Sequence, residues 1–284
     1  MDKSLVSIIT PAYNSEMFIA ETIESVQKQT YQNWEMIIVD DCSTDRTKEV
    51  ISSFQENDSR IKYFKNETNK GSAYSRNLAL RNACGKWIAF LDSDDVWMEN
   101  KLENQIEFML KNDYYFSYTN YSEIDENSKE TGISLTGPKV ITKNKMFAYC
   151  WPGCLTIMYD AEFVGLMQTT DIKINEEYSL WIKIARKTNC YLLNQNLAKY
   201  RRHYNSLSNK PYIQLIKWHY KLFRKSENKN IISSIILTLG NMFFGTYKKI
   251  VYRKKYTENN FIENANPYYY YKVIPVKEKN LGEP

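Results

Sequence analysis

Apolar and polar positions follow two rhythms along the first 125 residues. Short runs rich in β-branched or aromatic residues recur at 6–10, 34–39, 61–64, 86–91 and 114–118, and each reads as a strand. Between them, 17–29, 44–54, 72–83 and 100–110 carry apolar residues at helical spacing, as Phe18, Ile19, Ile23 and Val26 do in the first. Pro11 stops the first run, and Ser43 or Thr44 suits the N-cap of the second helix. Strand–helix alternation at this spacing predicts an α/β fold, a mostly parallel central sheet with helices on both faces. Ligands in such sheets bind at the carboxyl ends of strands. Polar clusters stand at those ends here, at 11–14, 40–45 and 92–95.

Beyond residue 126 the rhythm loosens. The stretch 126–138 reads as a loop, 155–159 as a strand and 177–187 as a helix with Leu180, Trp181 and Ile184 on one face. Residues 191–200 read as extended, 213–225 and 231–250 as helices, and 257–284 shows no clear period.

Composition narrows the class. With 43% hydrophobic and 25% charged residues, disorder and collagen are excluded as the main state. Nine glycines and seven prolines disfavour a turn-rich β repeat. The 23 tyrosines offer faces for sugar stacking, though core packing is the commoner use. Five cysteines without a Cys-x-x-Cys pair imply free thiols in a reducing compartment, and with two histidines a zinc site is not expected. The N-terminus reads as a strand, so no secretory signal is expected. Net charge is +5, but 199–256 holds 14 basic residues and one acid, against 24 basic and 32 acidic elsewhere. An acidic body suits a metal-using site, and a basic C-terminal region suits an anionic surface.

The strand ending in Asp92-Ser93-Asp94-Asp95 carries the sharpest chemistry. Carboxylates this close repel and raise a pKa unless a cation sits among them. Oxygen ligands with little His or Cys suit Mg²⁺ or Mn²⁺. A solvated turn capping the next helix is the alternative. In 40–45 the later residues suit capping, leaving Asp41 free to accept from a nucleobase N–H or a ribose hydroxyl. Tyr13 is placed either to stack on a flat base or to pack in the core.

Taken together, four segments resemble the inverting glycosyltransferases of family 2, which have the GT-A fold. They are Val6-Ser7-Ile8-Ile9-Thr10-Pro11-Ala12-Tyr13-Asn14, Ile38-Val39-Asp40-Asp41-Cys42-Ser43-Thr44-Asp45, Asn69-Lys70-Gly71-Ser72-Ala73-Tyr74-Ser75-Arg76-Asn77 and Phe90-Leu91-Asp92-Ser93-Asp94-Asp95-Val96-Trp97. Glu176-Glu177-Tyr178-Ser179-Leu180-Trp181 resembles the family's segment that supplies the catalytic base, and 200–208 its closing basic loop. Two departures stand out: Cys42 where the family usually has Gly, and Glu177 where it usually has Asp.

The resemblance implies a transferase domain over 1–208, with a nucleotide-sugar half (1–115) and an acceptor half (116–208), then a basic helical extension (209–256) and a tail (257–284). It implies Pro11, Tyr13, Asp41, Arg76, Asp92, Ser93 and His203 around the nucleotide sugar, with Arg201 as a second candidate for the diphosphate. It places Mn²⁺ or Mg²⁺ on Asp94 and Asp95 and makes Glu177 the catalytic base. The implied activity is metal-dependent, inverting transfer of one sugar from a nucleotide sugar, a UDP-sugar by analogy, to a hydroxyl of a glycan or lipid-linked glycan acceptor. The setting by analogy is bacterial capsule or lipooligosaccharide synthesis. A non-catalytic sugar- or nucleotide-binding module of the same fold is the alternative. A processive synthase would carry several membrane spans and a Gln-x-x-Arg-Trp motif, and a glycosidase needs two carboxylates across the bond.

A cytoplasmic protein is expected, with no nucleic-acid partner and with room for a homodimer. Residues 231–247 contain no charge, and Lys248, Lys249, Arg253, Lys254 and Lys255 come next. Those 17 residues fall short of the roughly 20 that span a bilayer. An interfacial helix on the anionic inner face of the cell membrane, a buried helix and a dimer contact all remain open.

Overall fold

In a computed structural model, residues 3–170, 175–203 and 212–255 are described. Part of the closing basic loop (204–208) and the tail from 257 lie outside them. Strands β1 (Val6–Ala12), β2 (Trp34–Asp40), β3 (Ile61–Lys65) and β4 (Trp87–Phe90) form a parallel sheet ordered β3-β2-β1-β4. The pleat sends alternate residues to opposite faces. Ile8, Met36 and Ile38 pack with Ile19 and Ile23 of α1 (Ile19–Gln27), Ile51 of α2 (Thr47–Gln55) and Ile106 of α4 (Lys101–Asn112). Ile9, Ile37 and Val39 pack on the other face with Leu80 of α3 (Ser72–Arg81) and Trp181 of α7 (Glu176–Ala185). Both faces are covered, so β1 and β2 read as nearly unbroken apolar runs.

The second half extends this sheet with mixed pairing. Strand β9 (Met158–Asp160) joins β4 to β6 (Phe116–Ile124), antiparallel to both. Beyond β6 lie β7 (Glu130–Leu135) and β11 (Arg253–Lys255), each antiparallel to its neighbour. The long β10 (Cys190–Arg201) runs parallel to β6 and also pairs antiparallel with β5 (Val96–Trp97) and β8 (Val140–Ile141). Helices α5 (Lys143–Ala148) and α6 (Ala161–Val164) are short, and α8 (Tyr212–Lys221) and α9 (Ile231–Val251) pack together after the sheet.

Several expectations change. The first strand continues through Pro11, which pairs in register with Val39. On β1, strand β4 pairs with Val6 to Ile9 and no further, so Pro11 lies where β1 is free on that side and its missing N–H costs little. The expected loop at 126–138 contains β7, whose alternation is weakened by Gly132 and whose side chains are mostly half-buried. The expected strand at 155–159 splits into a 3-10 turn (Cys154–Thr156) and β9. The parallel prediction holds for the first four strands and the β6–β10 pair, while the remaining pairings are antiparallel.

Candidate active site

The loops after the strands meet at one edge of the sheet, laced together by their own polar residues. After β1, the Asn14 N–H donates to Ser43 Oγ at 2.9 Å, and Ser15 N donates to Thr47 Oγ1 at 2.7 Å. The Ser15 hydroxyl meets the Ser93 hydroxyl at 2.7 Å, tying the first loop to the acidic turn after β4. Asp40 takes the Ser43 N–H at 2.8 Å on one oxygen and the Tyr63 hydroxyl at 2.9 Å on the other, so both its oxygens serve the fold.

Asp41 binds its own chain. Oδ1 accepts from Asn66 Nδ2 at 2.7 Å and Lys70 N at 2.8 Å, and Oδ2 accepts from Gly71 N at 2.7 Å. The expectation of a free carboxylate is corrected: of four lone-pair sites, Oδ2 keeps one. Gly71 is left-handed, φ +88°, which turns its N–H toward Asp41 and starts α3. Cys42 is left-handed too, φ +64°, which accounts for the glycine the family usually carries there. Tyr13 is 49% exposed, so its ring is not core packing, and Pro11 is half-buried near the end of β1.

Arg76 departs most from expectation. It is neither on a helix surface nor turned to solvent: its side chain is 2% exposed. Its Nη2 lies 2.8 Å from Asp92 Oδ1 and 2.8 Å from Glu177 Oε1, and Nη1 lies 3.1 Å from Glu176 Oε1. Glu176 is buried and also accepts from the Ser72 hydroxyl at 2.5 Å. Glu177 starts the same helix but keeps a third of its side chain exposed. Burial, opposed by Arg76 and reinforced by Asp92, pushes the Glu177 carboxyl up to about 7. Burial also lifts Asp92, with Arg76 opposing and Asp94 adding to the rise.

The other acids diverge. Asp94 Oδ2 lies 2.8 Å from His203 Nε2, and this hydrogen bond raises the imidazole pKa. Asp95 turns inward: Oδ1 accepts the Arg201 N–H at 2.9 Å, and the buried Oδ2 has no hydrogen-bond partner among the described residues. Burial, then the charges of Asp94 and Asp92, hold its carboxyl well above the usual range. Asp95 therefore does not stand beside Asp94 as a second ligand. Arg201 is withdrawn from the diphosphate role as well. It binds Glu21 at 2.5 Å, Ser128 Oγ at 2.8 Å and the Asp94 carbonyl at 2.8 Å, with almost no exposure.

Among the described residues, two groupings are candidates to hold a cation. Asp92, Cys154 and Glu177 bring ligand atoms within 4.8 Å of one another. They fit a metal poorly, because the Arg76 guanidinium already lies against both carboxylates and burial holds the Cys154 thiol well above its usual pKa. The partly exposed Asp94 carboxylate fits better, as a hard oxygen ligand, and the His203 imidazole beside it could join only where a cation displaces the proton shared between them.

Sequence reasoning misses Cys154 and Asn66 as members of the site, and it weighs Glu176 only as the competitor of Glu177 for the base, not as a partner of Arg76. An asparagine after a strand, like Asn66, looks like any turn residue. Cys154 and Glu176 reach Arg76 across 78 and 100 residues of chain, a distance no periodicity reports.

A parallel four-stranded core extended by mixed pairing, polar loops gathered at its strand ends and a carboxylate beside an acidic turn match the arrangement of a nucleotide-sugar transferase of the GT-A type. The chain belongs to Glycosyl transferase family 2, which matches residues 7–159. It is 40% identical over 207 residues to a putative teichuronic acid biosynthesis glycosyltransferase of Bacillus subtilis, covering 72% of this chain and 82% of that one. It is 44% identical over 217 residues to an Escherichia coli UDP-Glc:alpha-D-GlcNAc-diphosphoundecaprenol beta-1,3-glucosyltransferase, covering 76% and 84%. Its fold is similar to that of S. aureus TarS 1-349 in complex with UDP-GlcNAc, with TM-score 0.67, 19% identity and coverage of 87% and 74%.

Proposed function

We propose that this glycosyltransferase moves one sugar from a UDP-sugar to a hydroxyl of a lipid-linked glycan acceptor in bacterial surface polysaccharide synthesis, with inversion and with Glu177 as general base. The observation that carries this is the contrast between two adjacent glutamates. Glu176 is buried and bound to Ser72 and Arg76, while Glu177, also paired with Arg76, is a third exposed with its pKa raised to about 7, at the start of α7. A base with a pKa near the working pH combines a useful deprotonated fraction with a useful driving force. The donor and acceptor in the name of the Escherichia relative support the donor and acceptor classes, and the teichuronic acid biosynthesis in the name of the Bacillus relative supports the surface-polysaccharide setting.

In this reading the acceptor hydroxyl attacks the anomeric carbon as Glu177 takes its proton. The bond to the nucleoside diphosphate breaks on the opposite face. Tyr13 stacks on the uracil, the remaining lone pair of Asp41 Oδ2 takes a base N–H, and Asp92 and Ser93 face the ribose. Pro11 stiffens the strand end that carries Tyr13. Asp94 and His203 would hold Mn²⁺ or Mg²⁺, which when bound offsets charge on the diphosphate. Arg76 holds Glu177 and Asp92 in place rather than reaching the donor.

The test is Glu177→Gln, which keeps the size and removes the basicity. Transfer should fall about 10²–10⁴-fold with UDP affinity nearly unchanged. Wild-type transfer by Glu177→Gln together with loss in Glu176→Gln would assign the role to the neighbouring acid instead.

A further inference from the structure

Helix α9 is built inside out. Its exposed stripe is Ile232, Ile236, Leu239, Phe243 and Ile250, the last 74% exposed. Its buried positions are instead Ser234, Thr238, Asn241 and Lys248. Most of these polar groups find partners: Asn241 Nδ2 donates to the Tyr178 hydroxyl at 3.2 Å, and Lys248 Nζ to the Trp151 carbonyl at 2.6 Å, while Asn241 Oδ1 has none among the described residues. Leu237 and Phe244 complete the inner side against the core. A helix that needed only to cover a protein would place isoleucine and phenylalanine inward. Contiguous exposed apolar stripes of this kind mark an interaction surface.

Charge selects the occupant. Residues 212–255 contain ten lysines and arginines and one acid, Glu227, which is buried and paired with Arg186. Lys249 is exposed near the C-terminal end of α9, Lys254 and Lys255 are exposed on β11, which follows it, and Lys217 and Lys221 are exposed on α8. Lys249 sits on the stripe's flank, about 100° round the axis from Ile250, where a lysine can lay its stem along an apolar layer and keep its charge at the rim. A second copy of the chain would bring this cationic rim against itself. An anionic lipid surface complements both the stripe and the rim. The inner side of α9 is held by α5 and α8, and no helix among the described residues is long and apolar enough to cross a membrane. We propose that α9 seats the protein in the plane of an anionic bilayer surface, apolar stripe down. This goes beyond the transfer reaction and does not depend on it.

Sedimentation with vesicles of phosphatidylglycerol and phosphatidylcholine, free of any sugar acceptor, tests the proposal. The wild-type chain should pellet with mixed vesicles and stay in solution with pure phosphatidylcholine at physiological salt. The combined variant Lys249→Gln, Lys254→Gln, Lys255→Gln should lose on the order of 10²-fold in partitioning. Ile236→Glu with Phe243→Glu should abolish partitioning while the Tm stays within about 2 °C of wild type. Equal binding to both lipids overturns the proposal. So does absence of binding, including the case where velocity sedimentation shows a dimer that Ile236→Glu dissociates.

Discussion

At the scale of single residues, the acidic positions sort by what else they touch. The sequence offers Asp92, Asp94 and Asp95 as one cluster, and chemistry alone would let any of them hold a cation. The fold separates them: Asp92 lies on Arg76, Asp94 on His203, and Asp95 on a backbone N–H in the interior. Asp94→Ala should therefore abolish metal-stimulated transfer, while Asp95→Asn should act mainly on stability. The reading fails if Asp94→Ala keeps full activity, or if excess chelator leaves the wild type unaffected. The pH profile belongs to this scale too. Glu177 is active as the anion and its pKa is raised to about 7, so kcat/KM should climb with pH through about 7 and then level. A profile flat between pH 5.5 and 8.5, roughly one and a half units either side, removes Glu177 as the base. The acid turns and Tyr13 were legible in the sequence because each lies within a few residues of a strand end. The Arg76 cluster was not, since its partners come from α3, the β4 turn and α7.

At the scale of elements, pattern and structure agree where burial is two-sided or strongly periodic. β1, β2 and the helices α1 to α4 fall within a few residues of their predicted bounds, because each places apolar residues at regular spacing against the core, although α3 and α4 also bury Arg76 and Lys101. Agreement fails at β7, a half-buried strand near the sheet margin, and at the 3-10 turn 154–156. Helix α4 carries one residue that its pattern does not explain. Lys101 is fully buried, donates to Gln105 Oε1 at 2.8 Å and lies 4.1 Å from the Trp97 ring centroid. Burial pushes its pKa down to about 7. An unfolded lysine titrates near 10.4, so between about 7 and 10.4 the unfolded chain binds the extra proton and stability rises with pH. Lys101→Met should flatten the rise of Tm between pH 7 and pH 9 relative to wild type. The slope is the readout, because Gln105 Oε1 loses its donor in the variant and the absolute Tm shifts for that reason as well. Parallel Tm curves for the two proteins would show that Lys101 is not the group titrating.

At the scale of the whole molecule, the site is a seam between the first 115 residues and the second half of the chain, and α3 is the stitch. Asn77 Oδ1 takes the Thr169 N–H at 2.7 Å, Ser72 reaches Glu176, and Arg76 binds Asp92 from one side and both glutamates from the other. The resemblance to the family implies a place for Arg76 at the nucleotide sugar, while its ion pairs with Asp92, Glu176 and Glu177 support the proposal that it aligns these groups. These roles predict different losses. Arg76→Met leaves Glu176 buried without its cation, a defect that costs about 3–5 kcal/mol, or roughly 6–20 °C in Tm for a domain of this size. Adding Glu176→Gln removes the stranded charge and should recover a large part of that loss. Transfer should stay low in the double variant, because Glu177 is no longer held in place by the guanidinium. The affinity for UDP, measured by calorimetry at a temperature where the double variant is folded, should remain within about threefold of wild type, a difference below 1 kcal/mol. A UDP affinity that falls tenfold or more while Tm is unchanged would return Arg76 to the donor and leave the alignment of the halves to Ser72 and Asn77.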